Sequence, residues 1–309
     1  MLFRSLRRTI KPGTRITPVM ITSGDHENPL PKGYRSVPRH HLLASLIQMI
    51  ATRNLRCPPN LTGWRERGFY GSAYRVKQDI QAKDLGMRLR MTLDHEVDVL
   101  EHQFARNGVQ RMHGAARFVG PSAIEIALDN GDIRHIDAAK ILIAVGTRPY
   151  HPPEVPFNGR TILDSDDILE IPHLPRSLTV VGGGVIGVEY ATIFSALDVS
   201  VTLVEAREDL LDFIDAELVE DFVHQLRDRG MAFRLGSKVS SIDFDGERPV
   251  TVLENGRRVR SDMLLYTAGR VGATDSLNLA AAGLATDDRG RLRVDPATFQ
   301  TEEIGRAHV

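Results

Sequence analysis

A run of glycines between an apolar strand and a helix constrains this chain more than any other stretch. The strand is Leu178–Gly182 (LTVVG), and the turn continues as Gly183-Gly184-Val185-Ile186-Gly187 into an apolar segment that ends near Leu197. Glycine at 182 permits a tight strand-to-helix turn, and glycine at 187 lets the helix pack closely on the strand. The stretch therefore predicts a strand–turn–helix unit with its turn at Gly182.

The next predicted strand, Val201–Glu205 (VTLVE), ends in an acid 23 residues after Gly182. At about this spacing a carboxylate accepts hydrogen bonds from an adenosine ribose. Gly184 has no side chain, so its backbone can approach a pyrophosphate, and that anion would sit on unpaired N–H groups at the positive end of the helix. We interpret the unit as a dinucleotide site. The alternative is a glycine-rich packing turn without a ligand.

Two charged residues near this unit each have two interpretations. An acid at the strand end favours NAD. Arg207, two residues later, could pair with a 2′-phosphate and admit NADP. Alternatively, Arg207 is a solvated surface charge. Glu189 could be an acid favoured by the helix dipole, or it could lie at the nicotinamide end of the site. The residues alone leave both choices open.

Hydrophobic periodicity predicts alternating strands and helices around the unit. A helix is predicted over about Gln78–Asn107, with Gly108 as its stop, and another runs from a cap at Asp215 to Arg229 with Gly230 as its stop. The predicted strands are Val109–Met112, Ala116–Val119, Ala123–Leu128, Ile133–Ile136, Lys140–Val145, Ala232–Leu235, Val239–Phe244, Pro249–Leu253, Arg257–Arg260 and Met263–Thr267. This order predicts an α/β fold with a parallel sheet and a small antiparallel insert.

Composition excludes several classes of function. Hydrophobic residues make up 42% of the chain and charged residues 26%, the formal net charge is -1, and Cys57 is the single cysteine. No run approaches the roughly 18 apolar residues of a membrane span. We therefore expect no membrane or nucleic-acid partner, no internal disulfide or dithiol centre, a cytoplasmic location, and, from the spacing of His, Cys and acids, no metal site.

The charge is unevenly distributed along the chain. Residues 1–60 carry ten Lys or Arg and two acids, Asp25 and Glu27. An Arg-rich, acid-poor start is typical of an organellar presequence. No strand with a glycine-rich turn follows it, which favours the alternative that this head lies outside the folded unit.

Three segments resemble a known family. They are TVVGGGVIGVEYATIFSALDVSVTLVEAR, the earlier ILIAVGTRPYHP and the later MLLYTAGRVGATDSLNLAAAGL. They are similar to the two-dinucleotide flavoproteins, the pyridine nucleotide-disulfide oxidoreductase family. GTRPYHP, DSDDIL, EYATIF, LLDFID and the stretch near residue 61, LTGWRERGFYGSAYRVKQDI, resemble its soluble transhydrogenases most. The resemblance covers about residues 60–301.

This resemblance implies a Rossmann-like NAD(P)-binding domain inserted in an FAD-binding domain. It also implies flavin-mediated hydride transfer between NADH and NADP, of the Si-specific transhydrogenase type, with no side chain as acid or base. Gly182, Gly183, Gly184, Val185, Ile186 and Gly187 would form the pyrophosphate turn, with Val185 where some relatives carry a gating tyrosine. Glu205 would bind ribose, Glu189 would lie near the nicotinamide carboxamide, Gly146 would end the strand leaving the FAD domain, and Gly269 would border the NAD(P) site.

The chain departs from the family pattern at both ends. It shows no opening FAD turn and no CxxxxC, and EEIGRAHV does not resemble the family's continuation. We therefore expect a fragment: an atypical head at 1–59, a partial FAD domain at 60–150, an NAD(P) domain at 151–272, a return to the FAD domain at 273–301, and a non-family tail at 302–309. FAD would be held poorly, and the C-terminal domain through which the parent forms a homo-oligomer would be absent. The alternatives are a dihydrolipoamide dehydrogenase-like dithiol flavoenzyme and a non-catalytic nucleotide-binding module.

Overall fold

The computed structural model describes residues 81–301 and the short strand at 307–308. The predictions for the head at 1–59, for Cys57, for the stretch near residue 61 and for most of the tail lie outside the described residues.

The described elements follow the predicted alternation of strands and helices. In chain order they are α1 (Ala82–Arg106), β1 (Gly114–Gly120), β2 (Ala123–Leu128), β3 (Ile133–Asp137), β4 (Ile141–Leu142), β5 (Thr147–Pro149), β6 (Ile162–Leu163), β7 (Ser177–Val181), α2 (Val185–Ala196), β8 (Ser200–Val204), α3 (Ala216–Asp228), β9 (Ala232–Arg234), β10 (Val239–Asp245), β11 (Arg248–Leu253), β12 (Arg258–Arg260), β13 (Met263–Tyr266), β14 (Arg270–Gly272) and β15 (Ala307–His308), with single 3₁₀ turns at Asp167–Glu170, Asp275–Leu277 and Leu279–Ala282.

The described residues divide into two compact units. Unit 1 comprises Val97–Thr147 and the residues from Gly272 onward, and unit 2 comprises the residues up to Glu96 together with Arg148–Val271. The assignment of these parts to FAD and NAD(P) domains stays a prediction.

Unit 2 is built on a five-stranded sheet in the order β6-β13-β7-β8-β9. All its neighbouring strands are parallel. Strand β7 (SLTVV) is buried along almost its whole length, as expected for a parallel strand covered on both faces. The predicted α/β fold class is confirmed, and the sheet is Rossmann-like.

Helices α2 and α3 of unit 2 are buried to different extents. Helix α2 (VIGVEYATIFSA) is largely apolar and buries residues on several sides, among them Tyr190 and Phe194. Helix α3 buries only the stripe that includes Val223 and Leu226, and Asp215 caps it by accepting a hydrogen bond from the Glu217 backbone N–H at 3.0 Å, as predicted.

The predicted antiparallel insert is confirmed. Strands β10, β11 and β12 form a three-stranded antiparallel sheet between β9 and β13. The Asn255-Gly256 pair makes the predicted hairpin turn, with Gly256 at φ +78°.

Unit 1 contains an antiparallel sheet in the order β1-β2-β3, and two strand predictions fail in this unit. Val109–Met112 is not a strand, because the Val109 N–H closes the end of α1 on the Phe104 carbonyl at 2.9 Å, a common helix C-cap arrangement. The strand predicted at Lys140–Val145 is reduced to β4, although Ile141 and Ile143 are buried as expected.

Candidate nucleotide-binding site

The candidate site lies at the carboxyl edge of the unit 2 sheet. The chain runs outward from β7 through α2 to β8 and through α3 to β9, and then returns to β13 on the other side of β7. Strands β7 and β13 therefore flank the point where successive connections diverge. In open α/β sheets, ligands bind outside the carboxyl ends of the strands at such a point.

Gly182 and Gly187 make the close approach of β7 and α2 possible. Gly182 has φ +108°, and a Cβ there would lie 2.9 Å from the backbone of Thr267 and Ala268. A Cβ on Gly187 would overlap the Gly182 carbonyl oxygen and lie 2.7 Å from the Thr267 hydroxyl. That hydroxyl is 3.0 Å from the carbonyl oxygens of Val181 and Gly182. The turn therefore has no room for a side chain at either glycine.

Gly183 joins the turn to the acid at the end of β8. Its N–H donates to Glu205 Oε2 at 2.5 Å, and a Cβ at this position would lie 3.0 Å from the same oxygen and overlap Leu210. Glu205 is 8% exposed. The packing thus requires glycine at 183 so that the carboxylate can lie against the turn.

Gly184 differs from its neighbours because a Cβ there would meet nothing within 4 Å. It is the N-cap of α2 with φ -72°, and no side chain caps the helix. Among the described residues, the N–H groups of Gly184, Val185 and Ile186 have no hydrogen-bond partner. Val185 is half-exposed, and Ile186 packs partly on the core. Open space and unpaired donors coincide at the positive end of a helix, which is the arrangement that binds anions.

Arg207 is tied to Glu205. Its backbone N–H donates to Glu205 Oε1 at 3.0 Å, and its Nε lies 3.2 Å from the same oxygen. Burial alone would raise the pKa of Glu205, but the hydrogen bonds from Arg207 and Gly183 outweigh it and hold this pKa below its ordinary value. Glu205 therefore stays an anion, with its carboxylate held in one position.

Glu189 lies on α2, beyond the first turn of the helix, and that first turn contains no acid. The effect of the helix dipole falls off within the first turn, so this explanation of Glu189 is weakened. The side chain is partly buried, and no hydrogen-bond partner is found for it in the described part of the chain. Burial raises its pKa above the ordinary value.

The remaining two predicted glycines fall in different units. Gly269 follows β13 with φ +124°, and its carbonyl accepts a hydrogen bond from the Tyr150 N–H at 3.2 Å. Gly146 belongs to unit 1, where it has φ +71° and its carbonyl accepts from the Ala273 N–H at 3.1 Å. Gly269 is thus close in sequence to Thr267, which contacts the glycine turn.

Sequence reasoning missed three residues that shape this edge of the sheet: Thr267, which holds the turn; Leu210, which is 2% exposed and fills the space beside Gly183; and Asp212, which pairs with Arg207. Thr267 ended a predicted strand, but nothing in the sequence pattern indicated the role of its hydroxyl.

A further polar cluster follows β6. The Asp164 carboxylate lies 2.7 Å from the His151 ring, and Ser165 accepts hydrogen bonds from the side chains of Arg270 and Tyr190.

The burial of Glu189 leads to a pH-dependent prediction. Because its pKa is raised above 4.5, the folded protein holds this proton more tightly than the unfolded chain does. The charged carboxyl therefore lowers stability as the pH rises above 4.5, and it has no such effect well below that value.

We expect Glu189→Gln to raise the melting temperature slightly at pH 7, by about 1 °C, since the group is partly screened by solvent. The difference should be largely lost at pH 4. Glu220→Gln, on the exposed face of α3, removes the same charge as a control. Thermal unfolding of the three proteins at both pH values tests this, and an equal shift in both variants would refute the role of burial.

A family model described as pyridine nucleotide-disulphide oxidoreductase matches residues 46–304. The chain belongs to this family. The predicted resemblance is therefore confirmed, and membership implies the use of FAD and NAD(P). The match includes the glycine turn, Glu205 and both units of the described structure.

Curated relatives agree with this family assignment. The chain is 42% identical over 243 residues to the soluble pyridine nucleotide transhydrogenase of Mycobacterium bovis (strain BCG / Pasteur 1173P2), covering 78% of this chain and 52% of the relative. It is 37% identical over 240 residues to the protein of that name from Colwellia psychrerythraea (strain 34H / ATCC BAA-681), covering 75% and 51%. The chain spans about half the length of these relatives.

Solved structures show the same fold. LpdA from Mycobacterium tuberculosis superposes with a TM-score of 0.72 at 23% identity, covering 89% of this chain and 57% of that one. The Cu(II) complex of the HOCl-induced flavoprotein disulfide reductase RclA from Escherichia coli gives a TM-score of 0.68 at 23% identity, covering 86% of this chain and 54% of that one.

In the described residues, no helix is long and apolar enough to cross a membrane, and no group of three His, Cys or acids could hold a metal ion.

Proposed function

We propose that unit 2 of this chain binds a pyridine nucleotide at the turn 182–187 and that the whole protein transfers hydride between NADH and NADP, as a Si-specific transhydrogenase. The observation that carries the proposal is the open space at Gly184, faced by the unpaired N–H groups of Gly184, Val185 and Ile186. A pyrophosphate is an anion of the size and charge that such a helix end accepts.

The residues around the turn fit the rest of the nucleotide. Glu205 is the anion next to the turn, at the end of the neighbouring strand, where an adenosine ribose would be held. Glu189 lies on α2 beyond the turn, without a partner among the described residues; we assign it to the nicotinamide end, where a carboxamide would supply the missing hydrogen bond. Gly269, next to the chain's return from β13, would border the same end.

No side chain is needed as a general acid or base, because hydride passes between cofactors. When bound, FAD supplies the carrier that takes hydride from one nucleotide and gives it to the other. Within residues 81–301, one strand–glycine–helix unit is present, and it suits one dinucleotide. We therefore assign FAD to the whole protein and the pyridine nucleotide to unit 2.

Calorimetric titration of the purified chain with NADH and NADPH tests the binding site. We expect saturable binding of NADH, at least as tight as that of NADPH, because the Glu205 carboxylate repels a 2′-phosphate. Failure to bind either nucleotide would contradict the site, and strict selectivity for NADPH would contradict the role of Glu205.

The reaction is tested separately on the whole protein with FAD bound, by following hydride transfer from NADPH to thio-NAD. Transfer supports the transhydrogenase assignment. Reduction of lipoamide in place of thio-NAD would assign the protein to the dithiol flavoenzymes instead.

A further inference from the structure

Arg207 is held between two acids. Its Nε lies 3.2 Å from Glu205 Oε1, and its Nη1 lies 3.2 Å from Asp212 Oδ2. The hydrogen bond and attraction of Glu205, and to a smaller extent Asp212, raise the pKa of this guanidinium. The Arg207 side chain is 48% exposed, so it lies at the surface of the site and within reach of a ligand.

The Glu205 carboxylate does not depend on the side chain of Arg207. Oε2 accepts from the Gly183 N–H, and Oε1 accepts from the backbone N–H of Arg207. If the guanidinium moved away, both oxygens would keep a backbone donor, and no buried acceptor would be left unpaired. Movement of the guanidinium would therefore leave Glu205 fixed against the turn.

The ion pair between Arg207 and Asp212 differs from the contact between Arg207 and Glu205. The Asp212 side chain is 65% exposed, and within the described residues Arg207 is the only cation paired with it. A 2′-phosphate accepts paired hydrogen bonds from an arginine fork. A phosphate that used Nη1 as one arm of this fork would compete with Asp212 for it, and it would also approach the charge of Asp212. NADH has no 2′-phosphate and is subject to neither effect.

We propose that Asp212 is a positioning residue that holds Arg207 away from the 2′-phosphate and thereby adds to the preference for NADH over NADPH that Glu205 creates. This inference rests on the proposed function, because it requires a pyridine nucleotide at the turn. Asp212 weakens NADPH binding through Arg207 and leaves NADH binding unchanged. The pair would let one site accept both nucleotides at a ratio set by a surface acid.

Calorimetric titration of Asp212→Asn with NADPH and NADH tests the proposal. An exposed ion pair of this kind changes an equilibrium constant by up to about fivefold. We therefore expect NADPH to bind about fivefold more tightly to this variant and NADH to bind as before. Asp212→Glu should restore the ratio of the original chain. Asp209→Asn is the matched control: this exposed acid lies in the same segment, and no ion pair is found for it among the described residues.

A double variant shows whether Asp212 acts through Arg207. In the Arg207→Gln background, Asp212→Asn should give no gain in NADPH affinity. An equal gain in that background, or the same gain from Asp209→Asn, would show a general charge effect and overturn the proposal. An unchanged NADPH-to-NADH ratio in Asp212→Asn, with NADH still bound, would overturn this inference alone; binding of neither nucleotide to the original chain would overturn the proposed function with it.

Discussion

Gly187→Ala should destabilise unit 2 by about 3 kcal/mol or more, the upper end of the range for overpacked cores. The added Cβ would overlap the Gly182 carbonyl oxygen and lie 2.7 Å from the Thr267 hydroxyl. The first of these neighbours is backbone and cannot rotate away, so α2 would have to move off β7. That movement would disturb the packing of Val188, Ala191 and the other α2 residues buried in the core.

Gly184→Ala is the matched control for this variant. It makes the same chemical change three residues away, at a position with φ -72° and nothing within 4 Å of the new Cβ. Its stability should change by less than about 1 kcal/mol, because alanine restricts the unfolded chain but is a poorer N-cap than glycine. Urea unfolding followed by circular dichroism compares the two. Equal stabilities would contradict the close packing described for Gly187.

Gly184→Val should strongly weaken nucleotide binding without unfolding the protein. Valine tolerates the extended backbone at this residue, and the space in front of it is open. The side chain would instead fill the space proposed for the pyrophosphate. Hydrogen bonds to a charged group are worth about 1.5–3 kcal/mol each, so displacing the pyrophosphate from two N–H groups should weaken NADH binding about 100-fold or more.

Gly120→Val provides the control for adding a valine elsewhere. A Cβ at Gly120, in β1 of unit 1, would make an ordinary contact of 3.7 Å with Ala123. This variant should bind NADH like the original chain in the same calorimetric titration. Unchanged NADH affinity in Gly184→Val, with its circular dichroism spectrum preserved, would count against a nucleotide at this turn.

The backbone of the site was predictable because it depends on local rules. Glycines at 182 and 187 are needed where a strand turns directly into a helix packed on it, and the apolar runs of β7 and β8 are typical of buried parallel strands. Asp215 begins α3 as its N-cap, and Gly108 follows the end of α1; both helix ends were predicted from local capping rules. These features follow from a few neighbouring residues.

The contacts that complete the site were not predictable, because they join residues distant in sequence. Gly183 was expected only as part of the motif, but its main contacts are with Glu205 and Leu210, 22 and 27 positions later. Nothing in the spacing showed that Glu205 would turn inward or that Asp212 would share Arg207. The failed strand at Val109–Met112 has a different cause: the contact is local, but apolar periodicity does not reveal that the Val109 N–H closes a helix end.

The central claim is that a pyridine nucleotide places its pyrophosphate on the N–H groups of the 182–187 turn. The most direct measurement is the amide resonances of Gly184, Val185 and Ile186 in the ¹⁵N-labelled chain during an NADH titration. We predict that these resonances shift together and saturate with the calorimetric binding curve, while the Gly120 amide stays in place. Saturable NADH binding that leaves the three amides unmoved would contradict the claim.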